Sequence, residues 1–248
     1  MTKQVVVYVG PRIGTKLLKI LLEIPTDYSY HIISKLDITK EIDFESYKNN
    51  QFSFKQVEES FQNIELLSGD YFLNLWGEEV LQKIFLEKFT MCFNIHPSLL
   101  PWGKGRDPIV WTILNLWPAG ATFHVINQEI DSGPIIYQQE MKWNFPTKGG
   151  ELYEKILILC ESVLKIGWQK IVNNEFQITP QIENTHPTFK RKDTEVARVL
   201  NYDTLNEISA DYFLRKLLAF DFNSDYSSII EVGKSRFSIQ LDIKKLEN

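Results

Sequence analysis

The segment Asn-Ile-His-Pro-Ser-Leu-Leu-Pro, residues 94–101, sets an amide and an imidazole two residues apart at the end of an apolar stretch. Two prolines follow within five residues. On an extended strand, residues two apart point to the same side. Pro97 fixes its own φ and biases His96 away from helix. Histidine, with a reference pKa near ~6.5, exchanges a proton at neutral pH. Asparagine adds an uncharged donor. Asn94 and His96 together suit acyl-type transfer, in which a donor stabilises a developing oxyanion while a base removes a proton. A third group should orient the base, and the candidate is Asp131 in Ile-Asp-Ser-Gly-Pro. Asp-Ser-Gly-Pro is also a common turn in which Asp caps its own backbone. These fragments, taken alone, leave both readings open.

The elements around them predict a doubly wound α/β sheet, mostly parallel. Val5 to Gly10 is a continuous apolar run closed by Gly-Pro, as in a buried parallel strand. Gly14 then precedes a short amphipathic helix, and strand, glycine loop and helix open such a fold. Further strands are expected at 29–36, 70–75, 90–95, 121–127 and 134–141. Helices are expected at 53–61, at 77–89 and at 107–117, the last with Asp107 as N-cap and Pro108 at N1. Leu152, Ile156, Leu159, Val163 and Ile166 mark one buried face of a longer helix. Asn94 and His96 then lie at a carboxyl strand end, where open sheets bind ligands. After Asn173 the chain turns polar and rich in turn formers. The expected division is therefore a main domain at 1–175 and a small region at 176–248. The latter should hold a helix near 211–220 and a β-hairpin about Gly233-Lys234, where Phe237, Ile239, Leu241 and Ile243 alternate.

Composition narrows the function classes. The 248 residues are 44% hydrophobic, enough for one large domain or one domain with an appendage. A net charge of -5 disfavours a general nucleic-acid binder. No run approaches the ~20 apolar residues of a membrane span. Cys92 and Cys160 sit in apolar stretches and read as buried free thiols of a reducing, cytoplasmic compartment. The four histidines and two cysteines lack zinc-ligand spacing, so no metal is expected.

Taken jointly, residues 94–105 and 118–140 closely resemble the folate-dependent formyltransferase family. The resemblance implies a Rossmann-like formyltransferase domain and matches Asn94, His96 and Asp131 to the family's catalytic Asn, His and Asp. It also implies N10-formyltetrahydrofolate as formyl donor. By position, the reduced folate should meet Glu79, Leu81, Asn127, Gln128 and Asp131. Arg12, Ser98, Lys104 and Arg106 are candidates for the acceptor, because a sugar nucleotide wants cations for its diphosphate and polar groups for its sugar. The basic run at 189–193 is a further candidate nucleotide contact, and His124 reads as a packed, supporting histidine.

Among the family's acceptors, a nucleotide-linked amino sugar fits best. A dTDP-4-amino-4,6-dideoxyhexose destined for O-antigen or another surface glycan is the expected example. The first loop, Gly-Pro-Arg-Ile-Gly-Thr-Lys, differs from the phosphate loop usual in glycinamide ribonucleotide enzymes. Acidity and a short tail argue against methionyl-tRNA. Phosphoribosylglycinamide formylation and hydrolysis of formyltetrahydrofolate remain alternatives. The apolar hairpin edge leads us to expect a homodimer.

Overall fold

The computed structural model describes residues 2–47, 51–58, 60–63, 67–182, 186–223 and 226–244. Its main sheet has seven strands: β1 (Gln4–Val9), β2 (Ser29–Ser34), β3 (Gln51–Gln56), β4 (Gly69–Leu75), β5 (Phe89–His96), β6 (Ala119–Val125) and β7 (Ile135–Met141). The spatial order is β3-β2-β1-β4-β5-β6-β7. The first five strands in that order are parallel, while β6 pairs antiparallel with β5 and β7 with β6. Strand order reverses between β1 and β4, which opens a crevice at their carboxyl ends.

Each face of the sheet has its own core. Val5, Val7 and Val9 pack on α1 (Gly14–Leu22) and on the long α4 (Gly149–Val172). Val6 and Tyr8 face the other way, with Phe61, Phe72, Phe85 and Cys92. Trp168 of α4 is fully buried, and its Nε1–H donates to the Tyr30 hydroxyl at 3.0 Å. Rings of Tyr28, Tyr71, Phe93 and Phe123 stand edge-on to it. Both cysteines are free and buried, and burial pushes the Cys92 thiol up to about 12.

Two expected helices are replaced. Residues 53–61 do not form one. Gln51–Gln56 is strand β3, because Phe52 and Phe54 alternate with Ser53 and Lys55 and pack on Phe44, at 5.1 and 5.8 Å. A 3-10 turn follows at Phe61–Asn63, and Glu59 lies outside the described residues. Within 77–89, only α2 (Lys83–Leu86) is helical. The segment before it is drawn out by side-chain bonds. Glu79 pairs with Lys35 at 2.5 Å and accepts from Ser60 at 2.9 Å. Gln62 donates to Val80 O and accepts the Gln82 N–H. Helix-favouring residues thus spend their polar groups on tertiary partners. The face of α4 is also rotated from the expected one: Leu159 and Ile166 are half-buried, while Cys160, Leu164 and Trp168 are buried.

Helix α3 (Pro108–Asn115) begins where expected, but Asp107 is left-handed (φ 54°) and makes no side-chain cap. Beyond α4 come α5 (Arg191–Arg198), β8 (Val199–Asn201), α6 (Ala210–Ala219), β9 (Ser228–Val232) and β10 (Ser235–Ile239). The expected hairpin is β9-β10, and β8 adds a third strand parallel to β9. Leu241 and Ile243 lie past the strand's end. Leu218, Ala219 and Phe220 join the main core, so residues after 175 pack as part of it.

Removing the Tyr30 hydroxyl tests how the core treats the fully buried indole donor of Trp168. Tyr30→Phe should lower unfolding free energy by about 1–3 kcal/mol, the cost of an unpaired buried group, seen as a lower urea midpoint at unchanged slope.

Candidate active site

Strand register builds the centre of the site. On the face shared with Tyr8, Asn74 of β4 sits opposite Asn94 of β5, and Asn94 sits opposite His124 of β6. Three polar side chains thus form a row across three strands. Asn74 Nδ2 donates to Asn94 Oδ1 at 3.2 Å, and Asn94 Nδ2 approaches His124 Nε2 at 3.3 Å. His124 Nδ1 lies 2.9 Å from the Val125 carbonyl, which can only accept, so Nδ1 carries the hydrogen and Nε2 accepts. Burial pushes His124 down to about 4, against the pull of Asp131 and with help from His96, so the ring is neutral.

His96 ends β5 and is 5% exposed. Its Nε2 lies 2.9 Å from the Gly103 carbonyl, so this nitrogen donates and Nδ1 is the basic one. Nδ1 faces Asp131 Oδ2 at 3.5 Å, and Asp131 Oδ1 lies 3.6 Å from His124 Nε2. Asp131 is left-handed (φ 51°), and its Oδ2 accepts the Gly105 N–H at 2.9 Å. Asn94 and His96, nominated as a pair, and Asp131, nominated apart from them, therefore converge at the carboxyl ends of the strands.

The turn after His96 is rigid for a reason the prolines only partly supply. Buried Thr122 of β6 donates to Ser98 O at 2.7 Å and accepts the Leu100 N–H at 3.1 Å. Gln138 of β7 donates to Leu100 O at 2.9 Å. Ser98 is itself 2% exposed and donates to Trp102 O at 2.7 Å, which commits it to the turn.

Segments after residue 175 brace the same loops. Thr179 and Ile135 exchange backbone bonds of 2.7 and 2.9 Å. Gln181 Nε2 donates to the carbonyls of Asp131 and Gly133, at 2.8 and 2.7 Å. Phe189 accepts from Arg106 N and donates to Lys104 O, and its ring stacks on Trp111 at 3.7 Å. Gly105 (φ +86°) allows this approach, since a Cβ there would come within 2.1 Å of Phe189 O. The basic run at 189–193 therefore opens with a clamp and continues into α5, where Arg191 pairs with Glu195.

The acceptor-side cations are placed unequally. Lys104 forms no ion pair among the described residues. Arg106 approaches Glu78 at 3.7 Å. Arg12 is left-handed (φ 66°) and exposed at the end of β1. Its charge is favoured by the Tyr153 hydroxyl, against some desolvation, and by Glu78 and Asp107. Towards the start of β5, Leu86, Phe89, Ile126, Asn127 and Gln128 line an open cleft of about 320 Å³, whose lining includes none of Asn94, His96 and Asp131. Glu79 and Leu81 are outside that lining: Glu79 is held by Lys35, and Leu81 packs against the second core. Asn74, Thr122, Gln138 and Gln181 were not nominated from sequence. Only their position in the register or the braces distinguishes them from ordinary strand and loop residues.

Fold and site together define an α/β protein with a row of hydrogen-bonded polar side chains and a His–Asp pair at its strand ends. The family model described as "Formyl transferase" matches residues 34–164. The chain belongs to the formyl transferase family. A methionyl-tRNA formyltransferase of Alkaliphilus oremlandii is 32% identical over 134 residues, which are 52% of this chain and 43% of that protein. The chain spans less than half the length of the first curated relatives it matches. A 4-N formyltransferase from Francisella tularensis superposes with TM-score 0.81 at 21% identity, covering 98% of this chain and 99% of that one. An N-formyltransferase from Helicobacter canadensis, in complex with folinic acid and dTDP-3-aminofucose, superposes with TM-score 0.69 at 22% identity, covering 94% and 85%. These last two likenesses establish the fold.

The depressed His124 makes a pH prediction. Unfolded histidine binds a proton below about 6.5, whereas buried His124 stays neutral down to about 4. Its contribution to stability is complete above pH 6.5 and is lost as pH falls towards 4, on the order of 3 kcal/mol in all. In chemical-denaturation curves across that range, His124→Gln should flatten the acid-side slope of stability.

Proposed function

We propose that this protein transfers a formyl group from N10-formyltetrahydrofolate to the amine of a nucleotide-linked amino sugar. The observation that carries the reading is the convergence of Asn94, His96 and Asp131 on one crevice. The acceptor amine attacks the formyl carbon, and a C–N bond forms. Asn94 donates to the formyl oxygen as it becomes an oxyanion. Its second Nδ2 hydrogen has no partner among the described residues. The amine proton passes to the Nδ1–Asp131 pair, where His96 Nδ1 is the available base. The bond from the formyl carbon to N10 then breaks, and the proton returns to the departing nitrogen. Holding both substrates in one crevice supplies much of the acceleration.

Reduced folate is assigned to the cleft beside Asn127 and Gln128, and the nucleotide diphosphate to the side bearing Arg12, Lys104 and Arg106. The Helicobacter canadensis neighbour, with folinic acid and dTDP-3-aminofucose bound, supports this pairing of ligands. The wider assignment is a cytoplasmic step of surface-glycan synthesis acting on a dTDP-4-amino-4,6-dideoxyhexose. Residues 1–175 carry the chemistry, and 176–248 brace its loops and offer the exposed Phe237 edge of β10 to a second copy. A single-chain mass by light scattering at working concentration would remove the homodimer from this proposal.

A second reading, formylation of methionyl-tRNA, has its support in the curated relatives. The net charge of -5 gives little electrostatic affinity for tRNA. One assay separates the readings: release of tetrahydrofolate with an amino-sugar nucleotide, with glycinamide ribonucleotide, with methionyl-tRNA, or with water alone. Release that depends on the amino sugar is expected, and equal release without it would mean hydrolysis. His96→Ala and Asp131→Ala should each lower turnover by about 10²–10⁴-fold while the fold persists, and near-normal turnover would sink the assigned roles.

A further inference from the structure

The row Asn74–Asn94–His124 ends on backbone groups whose hydrogen-bonding sense cannot be reversed. At one end, the Gly77 N–H donates to Asn74 Oδ1 at 3.0 Å, and Asn74 Nδ2 lies 3.3 Å from Gly77 O. An N–H can only donate and a carbonyl can only accept, so the Asn74 amide has one permitted orientation. Its Nδ2 must then face Asn94 Oδ1. At the other end, Val125 O fixes the His124 tautomer, and Nε2 must accept from Asn94 Nδ2. Asn94 is thus read from both sides. One of its amide hydrogens goes to His124, and the oxygen is kept turned away from the cleft.

We infer that Asn74 is a positioning residue: it fixes the amide sense of Asn94, so that a donor rather than an acceptor faces the formyl oxygen. It also ties that donor to the loop after β4. Gly77 belongs to the turn made by left-handed Trp76 (φ 67°). A Cβ at Gly77 would come within 2.3 Å of Asn74 Oδ1 and 2.4 Å of the Tyr8 ring. The turn therefore closes onto the amide without intervening side-chain atoms. Asn74 is 8% exposed, so water does not compete for these bonds. The consequence is that loop and oxyanion donor move as one unit: shifting the Trp76–Gly77 turn reorients Asn94. The role in catalysis rests on the formyl-transfer reading, whereas the orientation itself does not.

The test compares Asn74→Asp with Asn74→Ala at pH 8.5, well above the ordinary carboxyl range. Aspartate has the shape of asparagine but can only accept. The carboxylate opposes Asn94 Oδ1 while His124 Nε2 still demands the Asn94 Nδ2 hydrogen, so Asn94 has no orientation that satisfies both neighbours and its oxyanion donor is displaced. Alanine removes the partner but opposes nothing, so His124 still holds Asn94. Expected for Asn74→Asp is about 100-fold lower kcat with KM little changed, the scale of losing one oxyanion donor. Asn74→Ala should lose less. A buried carboxylate facing Gly77 O is itself destabilising, so urea midpoints are measured beside kcat: if Asn74 served only packing, kcat would fall in step with the midpoint in both variants and the His124 Nε2 signal would not move.

The second readout needs no substrate. In ¹⁵N spectra of the imidazole rings, His124 Nε2 should be unprotonated in all three proteins, since Val125 O holds the tautomer, and only in Asn74→Asp should it lose the shift that marks an accepted hydrogen bond. An unchanged His124 spectrum in Asn74→Asp, together with full kcat, overturns the inference. A wild type that transfers no formyl group, with the Asn74→Asp ring change present, overturns the transfer reading and supports the positioning role.

Discussion

The strand register across β4, β5 and β6 is the constraint from which the rest of the site follows. A parallel pairing sets Asn74 beside Asn94, and an antiparallel one sets Asn94 beside His124. A slip of one residue in either pairing would turn the row to the opposite face and bury amides among valines and phenylalanines. The register is held by what lies one step back along the same face. There Val6, Phe72 and Cys92 line up in the apolar layer beneath, packed under Phe61 and Phe85. Hydrophobic burial at one end of the strands thus pays for polar alignment at the other.

Electrostatics then divides the two imidazoles. His124 is fully enclosed, donates to a backbone carbonyl and stays neutral, acting as a fixed acceptor. His96 donates in the same way through Nε2 but turns Nδ1 towards a carboxylate. A lone pair facing a carboxylate is repulsive, and a proton placed between them is attractive. In the proposed transfer, the pair is where the released proton would be held. Asp131 can serve it because its own placement is independent of either histidine: Gly105 holds the carboxylate and Gln181 holds the backbone.

The bracing from residues 179–189 changes how the tail is understood. Composition marks a boundary near residue 175, and the helix does end at Val172. Yet Thr179, Gln181 and Phe189 reach back to Ile135, Asp131 and Gly105. Polar, turn-rich sequence usually signals a linker, and here its free backbone groups complete the site's loops. Pattern cannot distinguish the two, because both demand unpaired donors and acceptors.

The sequence by itself determined the buried parallel strands, α4 and the hairpin, and it singled out Asn94, His96 and Asp131, which the fold brings together. Each leaves a local trace: a β-branched run, a helical period, strict alternation, or a polar pair at a strand end. It misled at 53–61 and 77–89, where helix-favouring residues were outweighed by ring packing on Phe44 and by the Glu79 and Gln62 networks. Only the tertiary structure decided which nitrogen of each histidine is basic, which way Asn94 faces, and that Asn74, Thr122 and Gln181 belong to the site. The histidine nitrogens are set by nearby carbonyls, Val125 and Gly103, that the folded turns bring into reach, whereas the other properties depend on hydrogen-bond partners 20 to 50 residues away in the chain. No local window contains both ends of such a bond, so composition and period carry no record of it.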